Sequence, residues 1–193
     1  MGSKYAKWIA LFSQTGQELI DISEKIDRQP DVIISNSAPE LCWRIRNRFP
    51  QIDFYSLTTF GPEAKSLDIL DTLNAHEPLD DTLITLNGWL RIVPPNKCSK
   101  YNIFNGHPGL ITDFPELKGK DPQERAYTDL HKYDKVGSVV HRVVAEVDAG
   151  EIEEVESVST ANILTLDEMH QALRNTSLLA WERFLNKSLD NNV

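Results

Sequence analysis

The chain lacks most of the features that would place it at a glance. It has only 2 cysteines, Cys42 and Cys98, in 193 residues. They fit no CxxC or zinc-ligand spacing, so no metal centre is expected. So few cysteines suit a reduced, cytoplasmic setting. Basic side chains are outnumbered, with 20 Lys and Arg against 29 Asp and Glu for a formal net charge of −9. A broad nucleic-acid footprint needs the opposite balance, because it neutralises backbone phosphates with cations. No apolar run approaches the roughly 20 residues that span a bilayer, so no membrane partner is expected. The run WIALF (8–12) is too short, and turns polar too soon, for a secretory signal. Internal repeats and linkers rich in Gly, Pro or Ser are missing as well. Glycine is scarce where a dinucleotide fingerprint would need it. The loop SQTGQEL carries Gly16 alone, whereas G-x-G-x-x-G needs three. That argues against a nicotinamide or flavin cofactor. No Ser or Cys stands in a GxSxG nucleophile elbow.

What is present describes one α/β domain. A hydrophobic content of 40% supports a real core. The domain is expected over 5–187, with loose tails at 1–4 and 188–193. Short apolar runs at WIALF (8–12), DVIISN (31–36), DFYSL (53–57), DTLITLN (81–87) and KYNIFN (100–105) read as strands. Helical faces separate them. Leu19, Ile22 and Ile26 share one, and Leu67, Leu70 and Leu73 share another after Pro62. This alternation predicts a mostly parallel, Rossmann-like sheet flanked by helices on both faces. Residues 137–159 read instead as two strands around the turn DAG, the second a glutamate-rich edge strand kept in solvent by its charge. Leu166, Met169, Leu173 and Ala180 mark a closing helix.

In open α/β sheets, ligands bind beyond the carboxyl ends of the strands. That directs attention to SQTGQE, NGWLRIVPP and NGHPG. Asn105 and His107 stand two apart, so an extended backbone points them the same way, and Pro108 keeps His107 out of the helical region. An amide N–H can stabilise an oxyanion, and an imidazole can carry a proton near neutral pH. Asp148, at a strand–turn junction, is a candidate third member. On residue types alone the same stretch reads more readily as a stiff structural turn. His76, His131 and His170 read as surface residues, and His141, in the apolar strand SVVHRVV, as a structural histidine.

The order LNGWLRIVPP, NGHPGLI, VGSVVHRVVAEVDAG resembles the folate-dependent formyltransferases, over about residues 5–185. That family includes glycinamide ribonucleotide transformylase and the methionyl-tRNA and nucleotide-sugar amine formyltransferases. The family pattern is an Asn-x-His-Pro segment, a Gly-Thr-His-like strand and an Asp-x-Gly loop, and here Asp148 lies seven positions after His141. The resemblance implies a formyltransferase fold with Asn105, His107 and Asp148 as the catalytic trio. It also implies 10-formyltetrahydrofolate as co-substrate, held against Leu90, Arg91, Ile92, Val93, Val144, Ala145 and Glu146, with no metal. The acceptor side would be Ser13, Gln14, Thr15, Gly16, Gln17 and Glu18.

This acceptor side departs from the pattern. The ribonucleotide transformylases carry Ser-Gly-Asn-Gly-Ser-Asn in the first loop, and here the last Asn is replaced by Glu18. Their Glu near the final helix is replaced by the region of Thr176 and Ser177. GKDPQERAY (119–127) resembles the Gly-x-x-Pro-x-x-Arg-Ala run of the tRNA and sugar enzymes. Those enzymes carry a carboxyl-terminal extension that a chain ending at 193 is expected to lack. The implied activity is formyl transfer to the primary amine of a small molecule, either a nucleotide-linked amino sugar or a glycinamide-ribonucleotide-like compound. The alternatives are a formyltetrahydrofolate hydrolase and a silent folate-binding module. The partners expected are that small amine and, at most, a second copy of the chain in a homodimer.

Overall fold

The expected strands form where apolar residues run without interruption. A computed structural model describes residues 5–57 and 61–190. In chain order the strands are β1 (Lys7–Phe12), β2 (Val32–Ser35), β3 (Asp53–Ser56), β4 (Thr82–Leu86), β5 (Asn102–His107), β6 (Lys135–Arg142) and β7 (Ile152–Ser159). They form one sheet in the order β3-β2-β1-β4-β5-β6-β7. The first five are parallel. The β5–β6 and β6–β7 pairs are antiparallel. The mixed sheet matches the expectation, including the antiparallel pair near the C-terminal end. β5 runs through His107, two residues past the predicted end, because Gly106 and His107 pair with Val140 and Val139 of β6.

The helices are α1 (Gln17–Ile26), α2 (Trp43–Arg48), α3 (Pro62–Ser66), α4 (Asp68–His76), α5 (Pro95–Lys100), α6 (Pro122–Thr128) and α7 (Leu166–Ser188). The single helix expected after Pro62 is interrupted at Leu67, which is buried and left-handed at φ 52°. The second piece then presents Asp68 and Asp71 to Lys97 of α5, whose ammonium is buried and ion-paired with both. α7 starts at a reciprocal cap. Thr165 accepts the Glu168 amide, and the Glu168 carboxylate accepts the Thr165 amide in return.

Strand alternation divides the core between the two faces of the sheet. Trp8, Ala10 and Phe12 of β1 pack with Leu19 and Ile22 of α1 and Trp181 and Phe184 of α7. Ile9 and Leu11 pack on the other face with Leu70 of α4 and Ile84 and Ile103 of neighbouring strands. A third cluster, with Val139, Met169 and Leu173, closes the β6 end under α6 and α7. β7 is the edge strand, but its glutamates are not simply solvated. Glu156 and Glu154 turn toward α7 and pair with Arg183 and Lys187. The chain also stays packed beyond 187. Leu189 is buried and bridges Tyr5, and the Asp190 carbonyl accepts from Arg28. The expected loose segments 1–4 and 191–193 lie outside the described residues.

Candidate active site

β5 carries Asn105 and His107 on one face and Gly106 on the other. A Cβ on Gly106 would stand 2.5 Å from Trp181 Nε1, so glycine is what lets the α7 indole close against the strand. Antiparallel pairing sets His141 of β6 directly opposite Asn105. Asn105 Nδ2 lies 3.4 Å from His141 Nε2. Beyond β6 the chain turns back through Asp148, left-handed at φ 51°. Asp148 then faces both histidines. Oδ2 is 3.3 Å from His107 Nδ1, and Oδ1 is 3.4 Å from His141 Nε2. The Gly119 amide donates to Oδ2 at 2.8 Å.

Backbone carbonyls define the ring protons. His107 Nε2 lies 2.9 Å from the Leu117 carbonyl, which can only accept. The Nε2 proton is thereby fixed, and Nδ1, facing Asp148, is the nitrogen that titrates. His141 Nδ1 is likewise held by the Arg142 carbonyl at 2.9 Å. Burial pushes the His107 pKa down. The Asp148 charge and the Leu117 carbonyl push it up, and the net direction is down. A nearby carboxylate by itself favours the imidazolium; here burial outweighs it. For Asp148, burial pushes the carboxyl up. Hydrogen bonds from His141 and the Gly119 amide, with the nearby His107, outweigh this and hold it below the usual range.

Asn105, His107, His141 and Asp148 all line a cavity of about 930 Å³. One wall is apolar, made by Leu90–Val93 after β4 and by Val143–Ala145 and Val147 after β6. Leu90 and Ile92 are 62% and 73% exposed there, a large apolar area left open to solvent. The opposite wall, Gly119–Glu124, is polar. Leu90, Arg91, Ile92, Val93, Val144 and Ala145 all line the cavity, whereas Glu146 does not.

Of the first loop, only Gln14 reaches the cavity. Ser13 is buried, donates to Asn36 at 2.7 Å and accepts the Leu90 amide at 3.0 Å, which ties the first loop to the apolar wall. Thr15 is exposed. Gly16 is left-handed at φ 67°, and a Cβ there would meet Ile45 at 2.6 Å. Gln17 bridges Asp21 and Arg44. Glu18 turns away to α7, where Ser177 donates to it at 2.8 Å. Burial raises the Glu18 pKa, against the Ser177 hydrogen bond and the Arg174 charge.

Sequence reasoning read His141 as structural and did not single out the Leu117 carbonyl, the Gly119 amide or the polar residues of 119–124. The signals for His141 were the Gly-Thr-His-like strand and its spacing from Asp148. Among the described residues no group of three His, Cys, Asp or Glu is placed to hold a metal ion.

The sequence profile of the formyl transferase family matches residues 7–180. The chain belongs to this family. Among curated formyl transferases, it is 29% identical to the phosphoribosylglycinamide formyltransferase of Dictyostelium discoideum, over 58% of each chain. It is 32% identical to that of Schizosaccharomyces pombe, over 52% of each. The aligned region thus spans little more than half the length of these relatives. In fold, it superposes on the phosphoribosylglycinamide formyltransferase of Campylobacter jejuni with a TM-score of 0.80 at 19% identity, covering 96% of this chain and 98% of that one. A formyltetrahydrofolate deformylase from Pseudomonas syringae gives 0.73 at 23% identity, covering 93% and 60%. The formyl transferase fold therefore accompanies both transferases and a deformylase.

Proposed function

We propose that this formyl transferase moves a formyl group from 10-formyltetrahydrofolate to the primary amine of a small molecule. The observation that carries the reading is the convergence of Asn105, His107 and Asp148 in one cavity that also has exposed apolar side chains in its lining. A flat pterin fits against the Leu90–Val93 and Val143–Ala145 segments, whose side chains are mostly apolar.

The amine attacks the formyl carbon and the carbonyl oxygen takes up negative charge. Asn105 Nδ2 is aimed along the same strand face as His107 and is the donor available to that oxygen. The attacking nitrogen sheds a proton to the Asp148–His107 pair, where Nδ1 and Oδ2 face each other. The pair returns it to the folate nitrogen as the C–N bond to the donor breaks, so tetrahydrofolate leaves as a neutral amine. Proximity and charge stabilisation suffice for a formyl group already activated on nitrogen.

The acceptor is a small amine, a nucleotide-linked amino sugar or a glycinamide-ribonucleotide-like compound. Two buried, unpaired cysteines suit a cytoplasmic enzyme of one-carbon metabolism.

The test is to incubate the protein with 10-formyltetrahydrofolate and follow tetrahydrofolate release with and without a panel of amines. Release that requires one amine is the expected result. Equal release without any amine would make the protein a hydrolase. Folate binding with no release would leave a binding module.

A further inference from the structure

The segment 116–119 holds both His107 and Asp148, through the Leu117 carbonyl and the Gly119 amide. That segment has little regular structure of its own, being a single 3₁₀ turn over Pro115–Leu117 followed by left-handed Gly119. Its position is set from behind. Arg125 of α6 donates Nη1 to the Glu116 carbonyl at 2.5 Å and Nη2 to the Leu117 and Lys118 carbonyls at 3.0 and 2.7 Å. One guanidinium therefore grips three successive carbonyls. Arg125 does not line the large cavity. It lines a separate hollow of about 340 Å³ with Glu116, Glu124 and Asp129.

We propose that Arg125 is a positioning residue that, by clamping the 116–118 carbonyls, fixes the tautomer and orientation of His107 and the seat of Asp148. The inference rests on the reading that these two residues serve the reaction. The physical case is geometric. The Leu117 carbonyl has two lone pairs, and here His107 Nε2–H and Arg125 Nη2–H share them. Moving that oxygen releases the Nε2 proton. Asp148, 3.3 Å from Nδ1, then draws the proton of the neutral ring to its own side. Lysine cannot replace the clamp, because an ammonium lacks the planar fork that spans several acceptors at fixed angles. The other ionisable side chains facing the His107 ring are Asp148 and His141, which the substitution leaves in place.

The test is nitrogen NMR of the histidine rings in the full chain, as wild type and as Arg125→Ala. In the wild type, neutral His107 carries its proton on Nε2. In the variant the population shifts to Nδ1–H, because the Leu117 carbonyl no longer holds the Nε2 proton. Turnover in the variant falls on the order of 10- to 100-fold with folate binding retained. Guanidinium ion added to the Ala variant restores the Nε2–H form by entering the hollow. An unchanged tautomer in the variant overturns the proposal, whatever the activity does. If Arg125→Ala fails to fold, Arg125→Lys is read in the same spectrum, and a wild-type tautomer there overturns it equally. A wild type that turns over no amine, combined with a shifted tautomer in the variant, would sink the transferase reading and leave the clamp intact.

Discussion

Substituting Gly106 tests whether the site is set by packing beneath it. The added methyl of Gly106→Ala would meet Trp181 Nε1 at 2.5 Å, Cε2 at 3.0 Å and Cζ2 at 3.2 Å. Favourable carbon contacts lie at about 3.5–4.0 Å, so either the indole or the strand must move. The indole has little freedom: it is fully buried and edge-on to Phe184, with ring centroids 6.0 Å apart. Overpacking of this kind costs about 1–3 kcal/mol. In a domain of 150–250 residues each kcal/mol lowers Tm by about 2–4 °C, so a fall of about 2–12 °C is expected. Strand displacement also carries Asn105 and His107, and turnover falls with stability. Scanning calorimetry of Gly106→Ala, Trp181→Phe and the double variant separates the causes. Because the smaller phenyl ring leaves room for the methyl, the alanine should cost less when Trp181→Phe is already in place. A Gly106→Ala protein that melts within about 1 °C of wild type, or costs that simply add in the double variant, would refute the reasoning.

Other consequences can be measured independently. His107→Ala should lower turnover by about 10² or more while 10-formyltetrahydrofolate still binds, as read by single-turnover kinetics and equilibrium titration. Folding stability should decline on acidification below the ordinary histidine value of 6.5, because the unfolded chain then takes up a proton that buried His107 refuses. Asp148 acts in the same direction lower down, its contribution being complete above 3.8 and lost as the pH falls through its depressed folded value. Urea midpoints across this range should therefore fall with pH, and His107→Gln should flatten the upper part of the slope. Glu18→Gln should raise Tm at neutral pH, since the amide keeps the Ser177 bond without the buried charge. That gain should shrink as the pH falls through the raised folded value and be largely lost by the ordinary glutamate value of 4.5, because folded Glu18 is protonated first.

The parallel half of the sheet was legible because its strands are short, nearly continuous apolar runs separated by helical faces. WIALF and DTLITL became β1 and β4 almost residue for residue. The break at Leu67 was not legible, since Leu67, Leu70 and Leu73 keep helical spacing across it. The glutamates of β7 looked solvated because their cationic partners lie on α7, a separate element further along the chain. His141 looked structural for a similar reason. Only the antiparallel register sets it beside Asn105, and strand register is a property of two segments. The hold on His107 and Asp148 comes from a carbonyl and an amide, groups that nearly every residue carries and no motif can mark. In the first loop the family pattern marked Glu18 as a departure, but could not show that its carboxyl would turn to Ser177, 159 positions away.

Trp89 is among the residues that line the large cavity, on the same stretch as the apolar wall, and its indole is almost wholly shielded from water. The protein consequently contains its own optical reporter. An indole held dry beside the proposed pterin seat should lose emission by energy transfer when a pterin arrives, and should be indifferent to an acceptor bound elsewhere. Occupancy of the folate side could then be followed in the unlabelled chain, before any amine is known.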